Sequence, residues 1–122
     1  MKYMLIHAID PAAEHGTAGN GQSIPAFDSW LEEVRARGVS LHGDRLRGVD
    51  DATTVQVRDR QVLISDGPFA KTKEQIAGYD VIECADLDEA IEIAAKHPTA
   101  WLGTIEVRPI LDRKCGSPED AG

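Results

Sequence analysis

Cysteine is scarce in this chain, and no long apolar run is present. The two cysteines, Cys84 and Cys115, stand in neither a CxxC nor a metal-type spacing, which argues against a disulfide framework. We expect Cys84 to be a small core residue, because it lies in an apolar strand pattern, and Cys115 to be an exposed thiol. The longest apolar segment is far too short for a membrane span, and no secretion-type start is seen. We therefore expect a cytoplasmic protein without a membrane partner.

Basic residues are also in deficit, since 13 Lys and Arg stand against 21 Asp and Glu, for a net charge of −8. An acidic surface repels phosphate backbones, so nucleic acid is not an expected partner. The sequence has no GxGxxG, P-loop or GxSxG motif, which argues against nucleotide binding and triad hydrolysis. It also has no HExxH, His-x-His or Cys-His cluster. We therefore expect neither a dedicated metal site nor any other cofactor.

The overall composition of the chain is that of one globular domain. Of its 122 residues, 42% are hydrophobic and 28% are charged, which is typical of a chain with a single core. Alternation over residues 2–9 predicts a first strand that is apolar on both faces. An apolar stripe at i, i+3, i+4 and i+7 from Phe27 predicts a helix that Ser23 caps and Gly38 ends.

The second half of the chain gives strand and helix signals around a hairpin. Gly43 interrupts an extended segment, which indicates a bulge or a close backbone approach. Asp86 and Glu89 have capping-box spacing and open a helix that stops before Pro98, where we expect His97 to favour the helix terminus as an imidazolium. The remaining predicted segments are a mobile loop at 10–22, an extended segment at 39–46, hairpin strands at 53–57 and 61–65, one helical turn from Thr72, a strand at 76–84 and a last strand at 103–110.

The order of these elements, β-α-β, hairpin, β-α-β, predicts an α+β domain over residues 1–111 and a polar, flexible tail over residues 112–122. This order suits a ferredoxin-like sandwich with an inserted β-hairpin, in which the helices cover one face of the sheet. The other face needs cover as well. A second copy of the chain is the simplest source of it, because two-fold dimers dominate soluble oligomers. We therefore predict a homodimer.

The most distinctive run in the sequence is SDGPFAKTKEQ, residues 65–75, followed by Gly78 and Tyr79. It resembles the DGPF signature of YCII-related proteins, and the stretches MKYMLI, DLDEA and IEVRP support the resemblance. The resemblance implies a ferredoxin-like fold of the dimeric α+β barrel type, in which two sheets face each other. Some such relatives accompany alternative sigma factors, and others are proposed enzymes with a His and Asp pair, but neither role transfers automatically.

Three residues are candidates for acid–base chemistry. His42 and Asp44 are two apart, so in a regular strand both side chains share a face and can pair, which would poise a base near neutral pH. Gly43 between them could break that alternation. His7 is the third candidate, although a core or interface histidine is the simpler interpretation. His7 and His42 stand where the relatives usually carry Tyr and a small residue.

Five further residues are candidates for ligand binding. Asp66 can instead accept backbone hydrogen bonds in its own turn, and Lys73 and Glu74 can instead be solvated charges. Glu106 and Arg108 share a face of the last strand and could line a cleft or form a structural ion pair. We predict one cleft between the DGPF turn and the exposed sheet face, bounded by His42, Asp44, Asp66, Lys73, Glu106 and Arg108.

Two functions fit these observations. The first is a homodimer that binds a small ligand, which could be anionic, or that serves as an accessory protein with a partner linked to sigma-factor regulation. The second is a small cofactor-independent enzyme of the lyase, isomerase or oxygenase kind. In that case His42 or His7 is the base, and Arg108 or Lys73 holds an anionic substrate. An apolar cleft with converging polar groups is compatible with both functions.

Overall fold

The computed structural model describes residues 1–12, 24–70 and 72–111. Within them the strands are β1 (Lys2–Ile9), β2 (Ser40–Arg45), β3 (Thr53–Arg58), β4 (Gln61–Asp66), β5 (Gln75–Glu83) and β6 (Thr104–Pro109). The helices are α1 (Phe27–Ala36), α2 (Leu87–Ala95) and α3 (Pro98–Leu102), with a 3-10 turn at Val49–Asp51. None of the helices in the described part of the chain is long and apolar enough to cross a membrane.

Four of these strands form one sheet in the order β2-β5-β1-β6, and each neighbouring pair is antiparallel. The central strands β1 and β5 are far apart in sequence, so the sheet is built from non-local pairing. Strands β3 and β4 form a separate two-stranded sheet. The predicted α+β class and the predicted hairpin are therefore confirmed.

The hydrophobic core lies between one face of the four-stranded sheet and the helices α1 and α2. Tyr3, Leu5 and His7 are buried on this face, because successive side chains of a strand point to opposite sides. The apolar core consists of Tyr3, Leu5, Trp30, Val34, Val39, Ile82, Cys84, Ala90, Ile93 and Ala94. The prediction for Cys84 is confirmed, whereas Cys115 lies outside the described residues.

Two sets of polar contacts fasten α1 to α2. On the buried side, Trp30 Nε1 donates a hydrogen bond to Ile93 O over 2.9 Å. On the solvent side, the Arg37 guanidinium meets three carboxylates at 2.9 to 3.1 Å, those of Glu33, Glu89 and Glu92. Hydrogen bonds from Arg37 and Lys96 lower the pKa of Glu92 to about 2. The helical layer is thus joined on both of its sides.

The helix boundaries confirm the sequence predictions in part. Asp86 is the N-cap of α2 and accepts a hydrogen bond from a backbone N–H three residues on, over 2.9 Å. Gly38 follows α1 with a φ of 71°, as expected of a helix end. The predicted helical turn from Thr72 is wrong, because the chain passes through bends and pairs with β1 from Gln75 onward. Ser23 and most of the predicted mobile loop lie outside the described residues.

The opposite face of the four-stranded sheet carries none of the described helices. By the strand register, Met4, Ile6 and Val81 share this face. The two outer strands add polar residues to it, among them Glu106 and Arg108, which pair with Ile6 and Met4. We call this surface the open face.

The hairpin of β3 and β4 is apolar on one side. Val55 pairs with Ile64 and Val57 with Val62, so the four side chains share a face. They are 55% to 68% exposed. A two-stranded hairpin on its own is only marginally stable in water, so its apolar face normally packs against another surface. Among the described residues, this face has no such cover.

The DGPF signature forms the exit from β4. Gly67 has a φ of 95°, its N–H donates to Ala52 O over 2.8 Å, and its carbonyl accepts from Thr54 Oγ1 over 2.7 Å. These two contacts tie the turn to the beginning of β3. Because an L side chain is strained at this φ, the backbone freedom of glycine explains the residue at this position.

We predict that Gly67→Ala destabilises the domain by roughly 1 kcal/mol or more, because alanine reaches this φ only with strain. A Cβ at Gly67 would meet no atom within 4 Å, so a clash is not the cause. Gly48→Ala is the matched control, since Gly48 has a φ of −61° and equally open surroundings. Urea denaturation measures both variants, and equal midpoints would contradict the prediction.

Candidate functional site

An open cavity of about 850 Å³ lies between α1, β2 and α3, on the helix-covered side of the sheet. Its apolar lining includes Ile9, Phe27, Leu31, Pro98 and Leu102. The polar residues that line it include three from separate elements, His7 on β1, Asp80 on β5 and His97 at the start of α3. Arg35 and Arg45 line the same cavity. Apolar walls with a few converging polar groups are the usual make-up of a small-molecule site.

Asp80 and His7 form a buried polar pair in this wall. His7 Nε2 lies 2.6 Å from Asp80 Oδ2, and the two side chains are only 7% and 14% exposed. Gly43 on the neighbouring strand makes room for the carboxylate, because a Cβ at Gly43 would collide with Asp80 Oδ1. The close approach predicted at Gly43 is confirmed, and a register irregularity lies next to it, between Ser40 and His42.

The other nitrogen of this imidazole is unsatisfied. Among the described residues, His7 Nδ1 is the buried side-chain nitrogen or oxygen that lacks a hydrogen-bond partner. Leaving such a group without a partner costs about 1–3 kcal/mol, and an unsatisfied group in a folded protein calls for a specific reason. His7 Nδ1 is therefore a candidate contact for a ligand.

His97 supplies a second imidazole, and the imidazolium predicted for it is wrong. The helix α2 ends at Ala95, and His97 is instead the N-cap of α3, where its Nδ1 accepts from the Thr99 N–H over 3.0 Å. The residue is 6% exposed. Burial, followed by the charge of the nearby His7, lowers the pKa of His97 to about 3. The ring is consequently neutral at physiological pH.

The two imidazoles lie against each other under the aromatic side chains of α1. The ring centres of His7 and His97 are 4.2 Å apart, and the Trp30 ring meets His97 edge-on at 4.6 Å. One potential ligand atom from each of His7, Asp80 and His97 lies within 4.8 Å of the others. Two imidazoles and a carboxylate form a donor set that divalent transition metals use in proteins. No spacing motif predicts this cluster, because its members come from three separate elements.

The predicted base His42 and its predicted partner Asp44 lie on β2 at the rim of the cavity. Across the strand pair they face Val81 and Tyr79, so both side chains point to the open face, as expected of residues two apart. Their predicted pairing is not formed. His42 Nε2 lies 3.1 Å from the Tyr79 hydroxyl, and no contact between described residues joins His42 to Asp44. The catalytic roles of His42, Asp44 and His7 stay predictions.

Three of the predicted ligand-binding residues lie in and after the DGPF segment, away from this cavity. Asp66 lines a separate depression beside the Gly67 turn. Lys73 Nζ is 4.0 Å from Asp10 Oδ2. The Glu74 carboxylate accepts from a threonine hydroxyl of β6 at 2.9 and 3.0 Å. Their ligand-binding roles stay predictions.

The remaining two, Glu106 and Arg108, form an exposed ion pair on β6. Strand β6 and strand β2 are the opposite edges of the sheet, roughly 14 Å apart at about 4.8 Å per strand. The structure therefore does not bring the six residues of the predicted cleft to one cavity of the chain. It does place His42, Asp44, Glu106 and Arg108 on the same sheet face.

Sequence reasoning missed Asp80, His97 and the cavity arginines as site residues. A signal for Asp80 was present, because the alternation of β5 puts it on the face of the buried Ile82, where a carboxylate needs a partner. Pro98 indicates the start of a helix as well as the end of the preceding one, since proline favours the first helical position. The convergence of Arg35 and Arg45 depends on how α1 packs beside β2, which no local pattern gives.

Comparisons with known proteins identify the family of this chain. The model of the YCII-related domain matches residues 1–114, so this chain belongs to the YCII-related family, as the DGPF signature predicts. The chain is also similar to an uncharacterized protein of Rhizobium meliloti (strain 1021), with 40% identity over 74 residues. The matched segment spans 59% of this chain and 60% of that relative.

We predict that the free energy of unfolding decreases as the pH falls from about 6.5 toward 4.5, in part because of His97. Its pKa is about 3 in the folded chain against an ordinary value of 6.5. In this window the unfolded chain therefore binds a proton that the folded chain does not. The loss of stability from one such group is at most about 1.4 kcal/mol per pH unit, and above the ordinary pKa it vanishes.

Urea unfolding at about pH 7.5 and about pH 5 measures this dependence. His97→Asn keeps an acceptor for the Thr99 N–H, because asparagine is a good N-cap, and should lose less stability at the lower pH than the wild type. His42→Gln removes an exposed imidazole and should keep the wild-type dependence. Identical pH dependence of the wild type and His97→Asn would contradict the assignment.

Proposed function

We propose that this chain is a homodimeric, small-molecule-binding member of the YCII-related family, with its ligand in the cavity between α1, β2 and α3. The observation that carries the proposal is the buried pair of His7 and Asp80 in the cavity wall, in which His7 Nδ1 has no partner. A ligand that supplies the missing hydrogen bond would offset the cost of burying this nitrogen. The apolar lining would hold the rest of a small molecule.

The charges around the cavity favour an anionic ligand. Arg35 and Arg45 both line it, and among the described residues neither is in an ion pair. Asp80 and Asp44 line the cavity as well, but Asp80 is paired with His7 and the register turns the Asp44 side chain to the open face. The two guanidinium groups are therefore the charges left for a ligand. Arginine is well suited to carboxylates because its planar fork can donate two parallel hydrogen bonds.

Two apolar surfaces support the homodimer. The first is the open face with Met4, Ile6 and Val81, and the second is the apolar side of the hairpin, where Val55 and Ile64 are 60% and 68% exposed. The strand order β2-β5-β1-β6 supports a ferredoxin-like sheet with the hairpin as an insertion. In the proposed dimer, of the α+β barrel type, two open faces pack against each other and the hairpins extend the interface.

Cofactor-independent acid–base catalysis is the second candidate function. Asp80 accepts a hydrogen bond from His7 Nε2 and so fixes the orientation of the ring, as the carboxylate does in other carboxylate-imidazole pairs that act as bases. The lyase, isomerase or oxygenase alternative would thus use His7 rather than His42, since His42 contacts Tyr79 on the open face. A cytoplasmic location and a partner linked to sigma-factor regulation stay predictions from the sequence.

We predict that sedimentation at micromolar concentration shows a dimer, because the apolar hairpin side and the open face need cover. Val57→Glu places a charge in the proposed interface and should weaken the dimer by roughly tenfold or more. Gln56→Glu is the control, since Gln56 pairs with Leu63 on the other side of the hairpin. A monomeric wild type without concentration dependence would overturn the homodimer.

We predict that a thermal-shift screen of small metabolic anions finds ligands that raise the melting temperature, because a ligand that binds the native state stabilises it by mass action. Arg45→Met keeps the aliphatic stem and removes the charge, and should weaken anion binding by about tenfold. Arg108→Met, on the open face, should leave the affinity unchanged. The reverse pattern would move the site to the open face, and the absence of any anionic hit would contradict the proposed function.

A further inference from the structure

The hydrogen bonds around His7 fix which of its nitrogens carries a proton. The ionised carboxylate of Asp80 can only accept, so His7 Nε2 is the donor in the 2.6 Å contact. In the neutral form of this ring, which we take as the form that binds the ligand, the remaining nitrogen is an acceptor. His7 Nδ1 then has a free lone pair, and it is the nitrogen that has no partner.

The hydrogen bond at His97 engages the other ring nitrogen. A backbone N–H can only donate, so His97 Nδ1 is the acceptor in its 3.0 Å contact with Thr99. Burial keeps the ring neutral, with its pKa lowered to about 3. The single proton of this ring is consequently on Nε2, which makes His97 a donor.

The cavity thus contains one imidazole that accepts and one that donates, with ring centres 4.2 Å apart. We propose that His7 and His97 together bind a hydroxyl group of the ligand, which donates to His7 Nδ1 and accepts from His97 Nε2. A hydroxyl has one donor and two acceptor lone pairs, so it satisfies both contacts at once. A carboxylate oxygen accepts only and would leave His7 Nδ1 unsatisfied.

The same cavity indicates what accompanies the hydroxyl. This step rests on the proposed function, in which Arg35 and Arg45 receive an anionic group. A ligand with a hydroxyl for the imidazoles and a carboxylate for a guanidinium is a small hydroxycarboxylic acid. The substrate class inferred for the cavity is therefore hydroxycarboxylates.

A metal ion fits this arrangement less well than a hydroxyl does. Binding through His97 Nε2 would require that proton to move to Nδ1, which would break the hydrogen bond from Thr99 and uncap α3. Binding through His7 Nδ1 would keep the contact of His7 Nε2 with Asp80. A metal held by both imidazoles would still displace the hydrogen bond from Thr99, whereas a hydroxyl adds contacts and removes none.

Nitrogen NMR of the full chain labelled at its histidine rings tests the proposal directly. We expect both His7 and His97 to carry their proton on Nε2. The probes are two matched pairs that differ by one hydroxyl, glycolate with acetate and lactate with propionate. We expect each hydroxy acid to shift the ring signals of His7 and His97. Each should also bind at least about fivefold more tightly than the matched acid without the hydroxyl, because it gains about one hydrogen bond net. The ring of His42, which contacts Tyr79, should not respond.

The variant His97→Asn distinguishes the proposed contact of His97 with the ligand hydroxyl from its structural role as the N-cap of α3. Asparagine keeps the cap on Thr99, so α3 should persist, while the shorter side chain withdraws the donor from the hydroxyl. We expect the preference for glycolate over acetate to fall toward equality and the affinity for acetate to stay unchanged. His42→Gln should keep the full preference.

Three results would overturn the hydroxyl assignment. One is a proton on Nδ1 of either ring, and another is equal affinity for the members of each pair. The third is displacement of the proton from His97 Nε2 by Zn²⁺ added alone, which would identify a metal site instead. If the two acids of each pair bind with equal affinity and Arg45→Met weakens the binding of both, the hydroxyl assignment fails but the anion site of the proposed function is retained. If neither ring responds to any of the four acids, the hydroxyl assignment fails, while the thermal-shift screen decides the proposed function separately.

Discussion

The candidate site depends on one constraint, a carboxylate placed beneath a helical layer. Asp80 lies on a central strand opposite Leu5, on the face that carries the core. A charge in such a place is costly unless it is hydrogen-bonded. His7 supplies that hydrogen bond, and Gly43 supplies the space. The position of this one carboxylate thus constrains residues on three neighbouring strands.

Much of the fold could be predicted from the sequence, because its signals are local. The alternation of β1 and the cap at Asp86 each depend on a few adjacent residues. The turn expected at Thr72 is absent because the capping spacing there competes with strand pairing, and the long-range ladder to β1 determines the outcome. Helix α3 has five residues, too few for a periodic signal, so the proline that begins it was interpreted only as a helix stop.

The site was less predictable, because it is made by packing and register rather than by spacing. Local alternation correctly put His42 and Asp44 on one face of β2, but the register with β5 makes it the open face and not the face of His7 and Asp80. The environment of His97 is set by α1 and β1, which are distant in sequence. Its burial and neutral state therefore have no signature near residue 97. Glycine at position 43 was the exception, since its lack of a side chain correctly indicated a close approach.

The contacts of Arg37 and Trp30 have a consequence for motion. Because they join α1 to α2 on both the solvent side and the buried side, we expect the two helices to move together. The cavity lies between α1 and β2, an outer strand whose pairing is already irregular between Ser40 and His42. We therefore expect the cavity to widen by separation of β2 from β5 rather than by tilting of one helix.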